Sequence, residues 1–163
     1  MRLSAPELLA GGHDLSQFHS GVDSLDDWLL RRARSNQISG ASRTYVLCSG
    51  QQVVGYYSLS SGGLAASAAP GSLRRNMPDP IPMAILGRLA IDLSWQGKGL
   101  GSALLQDAVL RTAQAAHILG IRGILVHALS EDARAFYERY GFIGSPLNPM
   151  TLVMSLKLAP TFP

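Results

Sequence analysis

A short glycine-rich segment, Gln96-Gly97-Lys98-Gly99-Leu100-Gly101, constrains this chain more than any other part of its sequence. The apolar run Met83–Ile91, which holds Arg88, predicts a buried strand before it, and a helical pattern over residues 100–119 follows it. A strand that enters a helix through glycines brings unpaired backbone N–H groups and the positive end of the helix dipole to one place. The segment therefore predicts a site for a phosphate or pyrophosphate group.

Two better-known phosphate motifs do not fit this segment. A P-loop ends in Gly-Lys-Ser/Thr, whereas Lys98 is followed by Gly99. The dinucleotide fingerprint requires a glycine where this chain has Ser102. A helix entry that uses glycines only for tight packing remains an alternative. Glycines at alternate positions favour a ligand close to the backbone, because they remove the side chains that would hold it away. Lys98 would add a positive charge and Ser102 a hydroxyl.

The rest of the chain alternates between helical and strand patterns. A helix is predicted over residues 25–35, behind a cap at Ser24, with Leu25, Trp28 and Leu29 on one apolar face. Another helix is predicted from a cap at Ser130 to Tyr140. Further strands are predicted at Thr44–Cys48, Val53–Leu59, Ile121–His127 and Met150–Leu158. Residues 61–82 are rich in Gly, Ser, Ala and Pro and predict a long loop. This order predicts an α/β fold class, with a mixed sheet and helices on both of its faces.

The composition favours one compact domain spanning residues 1–163. Apolar residues make up 47% and charged residues 15%, which favours a packed core over disorder. Cys48 is the only cysteine, so no internal disulfide can form, and no apolar stretch is long enough to cross a bilayer. Without a signal-peptide pattern, these features predict a cytoplasmic protein. The net charge of +3 is carried mostly by arginine, which suits phosphate recognition but also fits an ordinary solvated surface.

Two motifs together carry a family resemblance. The glycine-rich segment is similar to the Gln/Arg-x-x-Gly-x-Gly/Ala motif of GNAT acetyltransferases, and Phe136-Tyr137-Glu138-Arg139-Tyr140-Gly141-Phe142 resembles their second common segment. The interval between the two motifs is normal for one strand and one helix. The resemblance implies the GNAT fold, whose central sheet is mixed and mostly antiparallel, and a reaction that uses acetyl-CoA.

Further segments resemble the GNAT toxins of bacterial toxin–antitoxin modules, the TacT type. They are Leu25–Leu29, Leu73–Pro78, Gly87–Asp92 and Val126–Leu129. This resemblance implies an acetyltransferase that modifies the α-amino group of aminoacyl-tRNA and so inhibits translation. It also implies a homodimer and a ribbon-helix-helix antitoxin. The toxin would act as a repressor, and contact operator DNA, only through the antitoxin complex.

The resemblance also implies roles for individual residues. The strand residues Leu89, Ala90 and Ile91 would pair with the pantetheine arm of CoA. The pyrophosphate would lie on Gly97, Lys98, Gly99, Gly101 and Ser102, with Gln96 shaping the turn and Phe136 adding a cofactor contact. Tyr137 would be the catalytic residue and protonate the departing CoA thiolate. Its alternative role is that of a packing tyrosine.

The basic residues, and the lack of a carboxylate that could act as a general base, bear on which molecule accepts the acetyl group. No carboxylate stands out as a general base, and Arg88 lies where some acetyltransferases have one. An α-amine, with a pKa of about 7.7 to 8.0, needs a base less than a lysine does. Arg74, Arg75 and Arg88 are the predicted tRNA contacts, and no metal is expected. Two alternatives stay open: transfer to a small amine or a protein N-terminus, and a non-enzymatic CoA- or RNA-binding module.

Overall fold

Residues 2–156 are described by the computed structural model, and they form seven strands and five α-helices. The strands are β1 (Glu7–Leu8), β2 (Arg43–Ser49), β3 (Gln52–Leu64), β4 (Ile81–Ile91), β5 (Gly123–His127), β6 (Ile143–Gly144) and β7 (Thr151–Ser155). The helices are α1 (Asp23–Arg31), α2 (Ala33–Ser39), α3 (Gly71–Arg74), α4 (Leu100–Ala115) and α5 (Glu131–Arg139). The strands lie in one sheet in the order β1-β2-β3-β4-β5-β7-β6.

The sheet is mixed. The pairs β1–β2, β2–β3, β5–β7 and β6–β7 are antiparallel, whereas β4 and β5 are parallel, with Met83–Leu86 opposite Gly123–Val126. A parallel pair requires a crossover connection, and α4 lies in the connection between β4 and β5. The mixed sheet with flanking helices confirms the predicted fold class.

The chain divides into two compact units, each with an apolar core. The first unit comprises the residues up to Ser60 and Gly87–Ala108, and the second comprises Ser61–Leu86 and the residues from Val109 on. Buried side chains of the first core include Leu29, Ala33, Val46, Val53 and Tyr56. Those of the second include Leu73, Ile81, Met83, Leu125 and Val153. A single domain over residues 1–163 stays a prediction.

The first helix departs from its predicted bounds. It begins at Asp23 rather than behind a Ser24 cap, and Asp26 fixes this end by accepting hydrogen bonds from the N–H (3.0 Å) and hydroxyl (2.6 Å) of Ser20. The helix ends before the predicted residue 35, because Arg32 leaves helical geometry with a φ of −122° and separates α1 from α2. The predicted apolar face is nevertheless confirmed, since Trp28 packs against the first core.

Other predicted bounds were partly wrong. Strand β3 continues to Leu64 and β4 begins at Ile81, so the connection is shorter than predicted and contains α3. Helix α4 ends at Ala115, because the N–H groups of His117 and Ile118 bond three residues back, and Leu119, the last residue of the predicted helix, is 61% exposed. The Ser130 cap is confirmed by the hydrogen bond its hydroxyl accepts from the N–H of Ala133 (3.1 Å). The last two residues of the predicted final strand, 157–158, lie outside the described residues.

Within residues 2–156, every helix is too short or too polar to cross a membrane.

Candidate active site

Strand β4 leads into the glycine-rich segment through a tightly bonded turn. The Asp92 carboxylate is buried and accepts hydrogen bonds from the N–H (3.0 Å) and hydroxyl (2.7 Å) of Ser94 and from the N–H of His19 (2.9 Å). Burial alone would raise the pKa of Asp92, but these hydrogen bonds hold it below its usual value. Asp92 is therefore a structural carboxylate that fixes the turn, and the Asp-x-Ser spacing is the sequence signal for it.

The Gln96 side chain closes the same turn from the other side. Its Nε2 donates to the carbonyl oxygens of Ile91 (2.8 Å) and Ser20 (2.9 Å). The predicted role of Gln96 in shaping the turn thus has a geometric basis.

The two glycines that follow have conformations that favour glycine. Gly97 has a φ of +77° and Gly99 a φ of +79°, both in the left-handed region. A Cβ added at either position would have no atom within 4 Å, so open space surrounds this backbone. Left-handed geometry therefore accounts for both glycines, and tight packing within the protein does not. The backbone is accessible to a ligand, as a pyrophosphate site requires.

Helix α4 begins directly after this loop, with Gly101 and Ser102 in its first turn. The first N–H groups of a helix have no acceptor within the helix and carry the positive end of its dipole. The Ser102 hydroxyl donates to the Gly99 carbonyl oxygen (2.9 Å), so Ser102 stabilises the loop as well as offering an N–H. The Lys98 ammonium lies 5.5 Å from the centroid of the Trp95 ring, which restrains its charge beside the loop.

The predicted pantetheine strand lies in the second half of β4. The parallel ladder with β5 ends at the pair Leu86 and Val126, and Leu89–Ile91 follow farther along β4. Ala90 and Ile91 are buried and Leu89 is half-buried. The structure thus brings the backbone of this stretch, Gln96 and the glycine loop together within the first unit.

Tyr137 lies in the second unit, on α5. Its side chain is 6% exposed and packs edge-on against Phe136 (ring centroids 5.2 Å apart) and tilted against Phe142 (5.5 Å). Burial raises the pKa of the Tyr137 phenol to about 12. The phenol is therefore protonated throughout the physiological pH range.

Arg88 takes part in an aromatic stack that the sequence does not reveal. Its Cζ lies 4.3 Å from the centroid of the Trp28 ring, and Trp28 stacks on Tyr56 (6.0 Å, 9°). The three residues come from β4, α1 and β3, so no local sequence signal could have found the stack.

In the second unit, Arg74 and Arg75 are exposed at the end of α3, where Arg122 donates to the carbonyl oxygens of Leu73 and Ser72 (3.1 Å each).

One group of metal-ligand side chains occurs among the described residues. The ligand atoms of Glu7, His13 and Cys48 lie within 4.8 Å of one another. The His13 Nδ1 accepts the N–H of Ala10 (2.9 Å), so the neutral ring carries its proton on Nε2, which faces Glu7 (2.9 Å). Burial, and then the Glu7 carboxylate, raise the pKa of Cys48 to about 11. These contacts explain the group without a metal, and the absence of a metal stays a prediction.

Comparisons with known proteins give the chain its relatives. Residues 40–143 match the family described as Acetyltransferase (GNAT) domain. A tRNA-acetylating toxin of Mycobacterium tuberculosis (strain ATCC 25618 / H37Rv) is 50% identical over 154 residues, 94% of this chain and 93% of the relative. A probable toxin TacT of Sinorhizobium fredii (strain NBRC 101917 / NGR234) is 30% identical over 158 residues, 90% of this chain and 86% of that one.

Solved structures resemble the chain over almost its whole length. AtaT complexed with acetyl-methionyl-tRNAfMet has a TM-score of 0.89 and 34% identity, covering 96% of both chains. AtaTR bound with AcCoA has a TM-score of 0.80 and 32% identity, covering 95% of this chain and 94% of that one. The AtaT-AtaR complex bound to DNA has a TM-score of 0.76 and 31% identity, covering 96% and 95%.

Proposed function

This chain belongs to the GNAT acetyltransferase family, and on that premise we propose that it transfers the acetyl group of acetyl-CoA to the α-amino group of aminoacyl-tRNA. The observation that carries the proposal is the 50% identity, over 94% of the chain, to a tRNA-acetylating toxin. The similarity to AtaT complexed with acetyl-methionyl-tRNAfMet supports the same acceptor. An acetylated amine cannot attack a peptidyl ester, so the reaction would stop translation and make the protein a toxin.

Acetyl-CoA would bind along β4 and the loop that follows it. The N–H groups of the loop and of the first turn of α4 would hold the pyrophosphate, at Gly97, Lys98, Gly99, Gly101 and Ser102. The left-handed glycines and the open space around them support this role, because a phosphate can approach the backbone closely there. The backbone of Leu89–Ile91 would pair with the amides of the pantetheine arm, as an added strand would. Phe136 would add an apolar contact to the cofactor.

Tyr137 would act as the general acid. The neutral amine attacks the thioester carbonyl carbon, the C–N bond forms and the C–S bond breaks, and the departing thiolate takes the phenolic proton. Because burial raises the pKa of Tyr137 to about 12, the phenol is fully protonated at neutral pH and keeps its proton until the thiolate develops. The proton lost by the amine nitrogen can return to the phenolate through solvent.

The chemistry of the acceptor reduces the need for a general base. A lysine side chain, with a pKa of about 10.4, is almost wholly protonated at neutral pH, whereas an α-amine near 7.7 to 8.0 is partly neutral, and esterification lowers its pKa further. Asp92, a buried carboxylate close to the loop, already accepts three hydrogen bonds within its turn. The exposed His127, whose Nδ1 lies 3.0 Å from the Thr151 hydroxyl, is a secondary candidate for relaying the proton.

The tRNA would contact exposed arginines. Arg74 and Arg75 are adjacent, exposed and free of carboxylate partners among the described residues. Asn76, next to them, turns the chain with a φ of +61°, which asparagine tolerates better than most residues. The acceptor arm of tRNA presents regularly spaced phosphates that such a pair can neutralise. Arg88 would contact the acceptor closer to the reacting amine.

The decisive experiment is a transfer assay with three acceptors. The protein is incubated with labelled acetyl-CoA and one of three acceptors: aminoacyl-tRNA, deacylated tRNA, or a mixture of polyamines and peptides. The products are identified by mass spectrometry. We expect label only on the aminoacyl group of charged tRNA. Label on amines or peptides alone would establish the small-acceptor alternative. CoA binding without turnover on any acceptor would establish a non-enzymatic module.

The relatives also support a proposal for assembly. AtaT forms a complex with AtaR that binds DNA, so we expect a cognate antitoxin here. We propose that this antitoxin is of the ribbon-helix-helix type and that the protein reaches operator DNA only through it. We also propose a homodimer working in the cytoplasm. Light scattering after size-exclusion chromatography would test the dimer: a monomeric mass at micromolar concentration would contradict it.

A further inference from the structure

A column of three side chains lies beside the second half of β4. Tyr56 is fully buried, and its hydroxyl donates to the carbonyl oxygen of Leu25 (2.6 Å), so its ring cannot turn freely. Trp28 stacks on that ring at an interplanar angle of 9°, and the Cζ of the Arg88 guanidinium lies over the indole, 4.3 Å from its centroid. The column fixes the guanidinium by a planar stack and a cation–π contact.

The fixed guanidinium has no anionic partner within residues 2–156. None of the ion pairs or hydrogen bonds of these residues involves its N–H groups, although Arg88 is half-buried. Burial lowers the pKa of Arg88, which is the expected consequence of a cation held away from water without a carboxylate. A half-buried fork of N–H donors normally has a partner. Its planar geometry matches a carboxylate or a phosphate.

The position of Arg88 along β4 indicates which molecule supplies that anion. Arg88 precedes Leu89–Ile91, and three residues of extended strand span about 10 Å. The CoA pyrophosphate would lie beyond Ile91, on the glycine loop, so Arg88 is at the opposite end of the pantetheine stretch. That end would hold the acetyl group and the attacking amine. An anion at Arg88 therefore belongs to the acceptor and lies close to its reacting amine.

We propose that the Tyr56–Trp28–Arg88 column binds the phosphodiester immediately 5′ of the aminoacylated terminal nucleoside. Arg88 is then a specificity-determining residue and Trp28 a positioning residue. This inference rests on the proposed function. It deepens that function by naming the chemical feature that separates the acceptor from other amines: a phosphodiester one nucleoside away from the amine. Free polyamines carry only positive charge and are repelled by the same guanidinium.

The test uses two small acceptors that differ by one phosphodiester. One is the glycyl ester of adenosine 5′-methylphosphate and the other is the glycyl ester of adenosine. We expect wild-type kcat/KM to favour the first ester by about 10- to 100-fold, as a charge-assisted bidentate contact implies. Arg88→Gln should reduce this ratio to about 1, and Trp28→Leu should reduce it several-fold, while Trp28→Phe should keep most of it.

Two controls keep the result interpretable. Arg31→Gln removes the same charge from the exposed end of α1, and it should leave the ratio of the two esters unchanged. The KM for acetyl-CoA should be unaltered in every variant, which shows that the fold and cofactor site are intact. An unchanged ratio in Arg88→Gln, or equal use of both esters by the wild type, would overturn the inference. Failure to acetylate charged tRNA would instead overturn the proposed function itself.

Discussion

At the scale of single residues, Tyr137 carries the sharpest catalytic prediction. Replacing Tyr137 by Phe removes one hydroxyl from a buried, apolar setting and leaves the ring contacts with Phe136 and Phe142 in place. We expect kcat to fall by roughly 10²- to 10⁴-fold, because the thiolate would leave without a positioned proton donor. Single-turnover acetylation of charged tRNA measures this directly. Tyr140→Phe, at an exposed position one turn along, is the matched control and should retain near-wild-type turnover.

The same tyrosine should make the stability of the protein fall at alkaline pH. Burial raises the pKa of Tyr137 to about 12, above its value of about 10 in an unfolded chain. Folding favours the neutral phenol, so the contribution of Tyr137 to the free energy of unfolding is complete below about pH 10. This contribution is lost as the pH rises towards 12. Between pH 9 and pH 11 the free energy of unfolding should fall by about 1 kcal/mol more in the wild type than in Tyr137→Phe. Urea unfolding at both pH values tests this, and parallel losses would contradict it.

At the scale of secondary-structure elements, the junction between β4 and α4 depends on backbone geometry. Gly97→Ala and Gly99→Ala each place a Cβ on left-handed backbone, which costs about 1 to 2 kcal/mol. We expect the KM for acetyl-CoA to rise about tenfold while the KM for charged tRNA changes little. Gly120→Ala is the control, because its added Cβ meets open space without a left-handed φ. Equal effects at all three positions would argue against a dedicated cofactor loop.

Helix α3 is fixed by its buried leucine and by the hydrogen bonds of one arginine. Arg122 donates to two carbonyl oxygens of this four-residue helix, which is too short to be stable by itself. Arg122→Gln should loosen the backbone that carries Arg74 and Arg75, and we expect the KM for charged tRNA to rise several-fold with the KM for acetyl-CoA unchanged. Hydrogen exchange over residues 65–80 should accelerate. Arg139→Gln, an exposed charge at the end of α5, should change neither quantity.

Helices and strands could be predicted from the sequence where neighbouring residues determine their bounds. The Ser130 cap, the apolar face of α1 and the strand before the glycine loop all follow from periodicity and capping residues. The end of α4 does not, since two N–H groups just after Ala115 bond three residues back instead of four, and apolar spacing cannot show this change. The short strands β1 and β6 exist only by pairing with β2 and β7, which are distant in sequence or separated by a turn. Their pairing partners could not be predicted from local pattern.

The parts of the candidate site that lie in one continuous segment could likewise be predicted from the sequence. The glycine loop and the Phe136-Tyr137 segment are continuous motifs, and a reader of the sequence can name them. The stack of Trp28, Tyr56 and Arg88 joins three elements, so its discovery required the fold. The sequence predicted that Arg88 contacts the acceptor, and this stays a prediction. The fold adds a guanidinium that lies over Trp28 and has no carboxylate partner among residues 2–156.

At the scale of the whole molecule, a net charge of +3 is too small to make the protein a general polyanion binder. Affinity for tRNA must then depend on where the arginines lie rather than on how many there are. The exposed pair Arg74 and Arg75 is the proposed contact with the acceptor arm. Each phosphate contact contributes about 0.7 to 0.9 to the slope of log affinity against log salt concentration.

The double substitution Arg74→Gln with Arg75→Gln tests that placement. Two lost phosphate contacts should reduce the slope by about 1.5 and weaken binding at low salt, with acetyl-CoA binding unaffected. Filter binding of charged tRNA over a series of salt concentrations measures both quantities. The adjacent exposed pair Arg31 and Arg32 provides the control, because Arg31→Gln with Arg32→Gln changes the net charge equally. If both double variants lower the slope alike, net charge rather than the α3 pair determines binding. A smaller slope in the Arg74 and Arg75 variant alone places the acceptor arm at the end of α3.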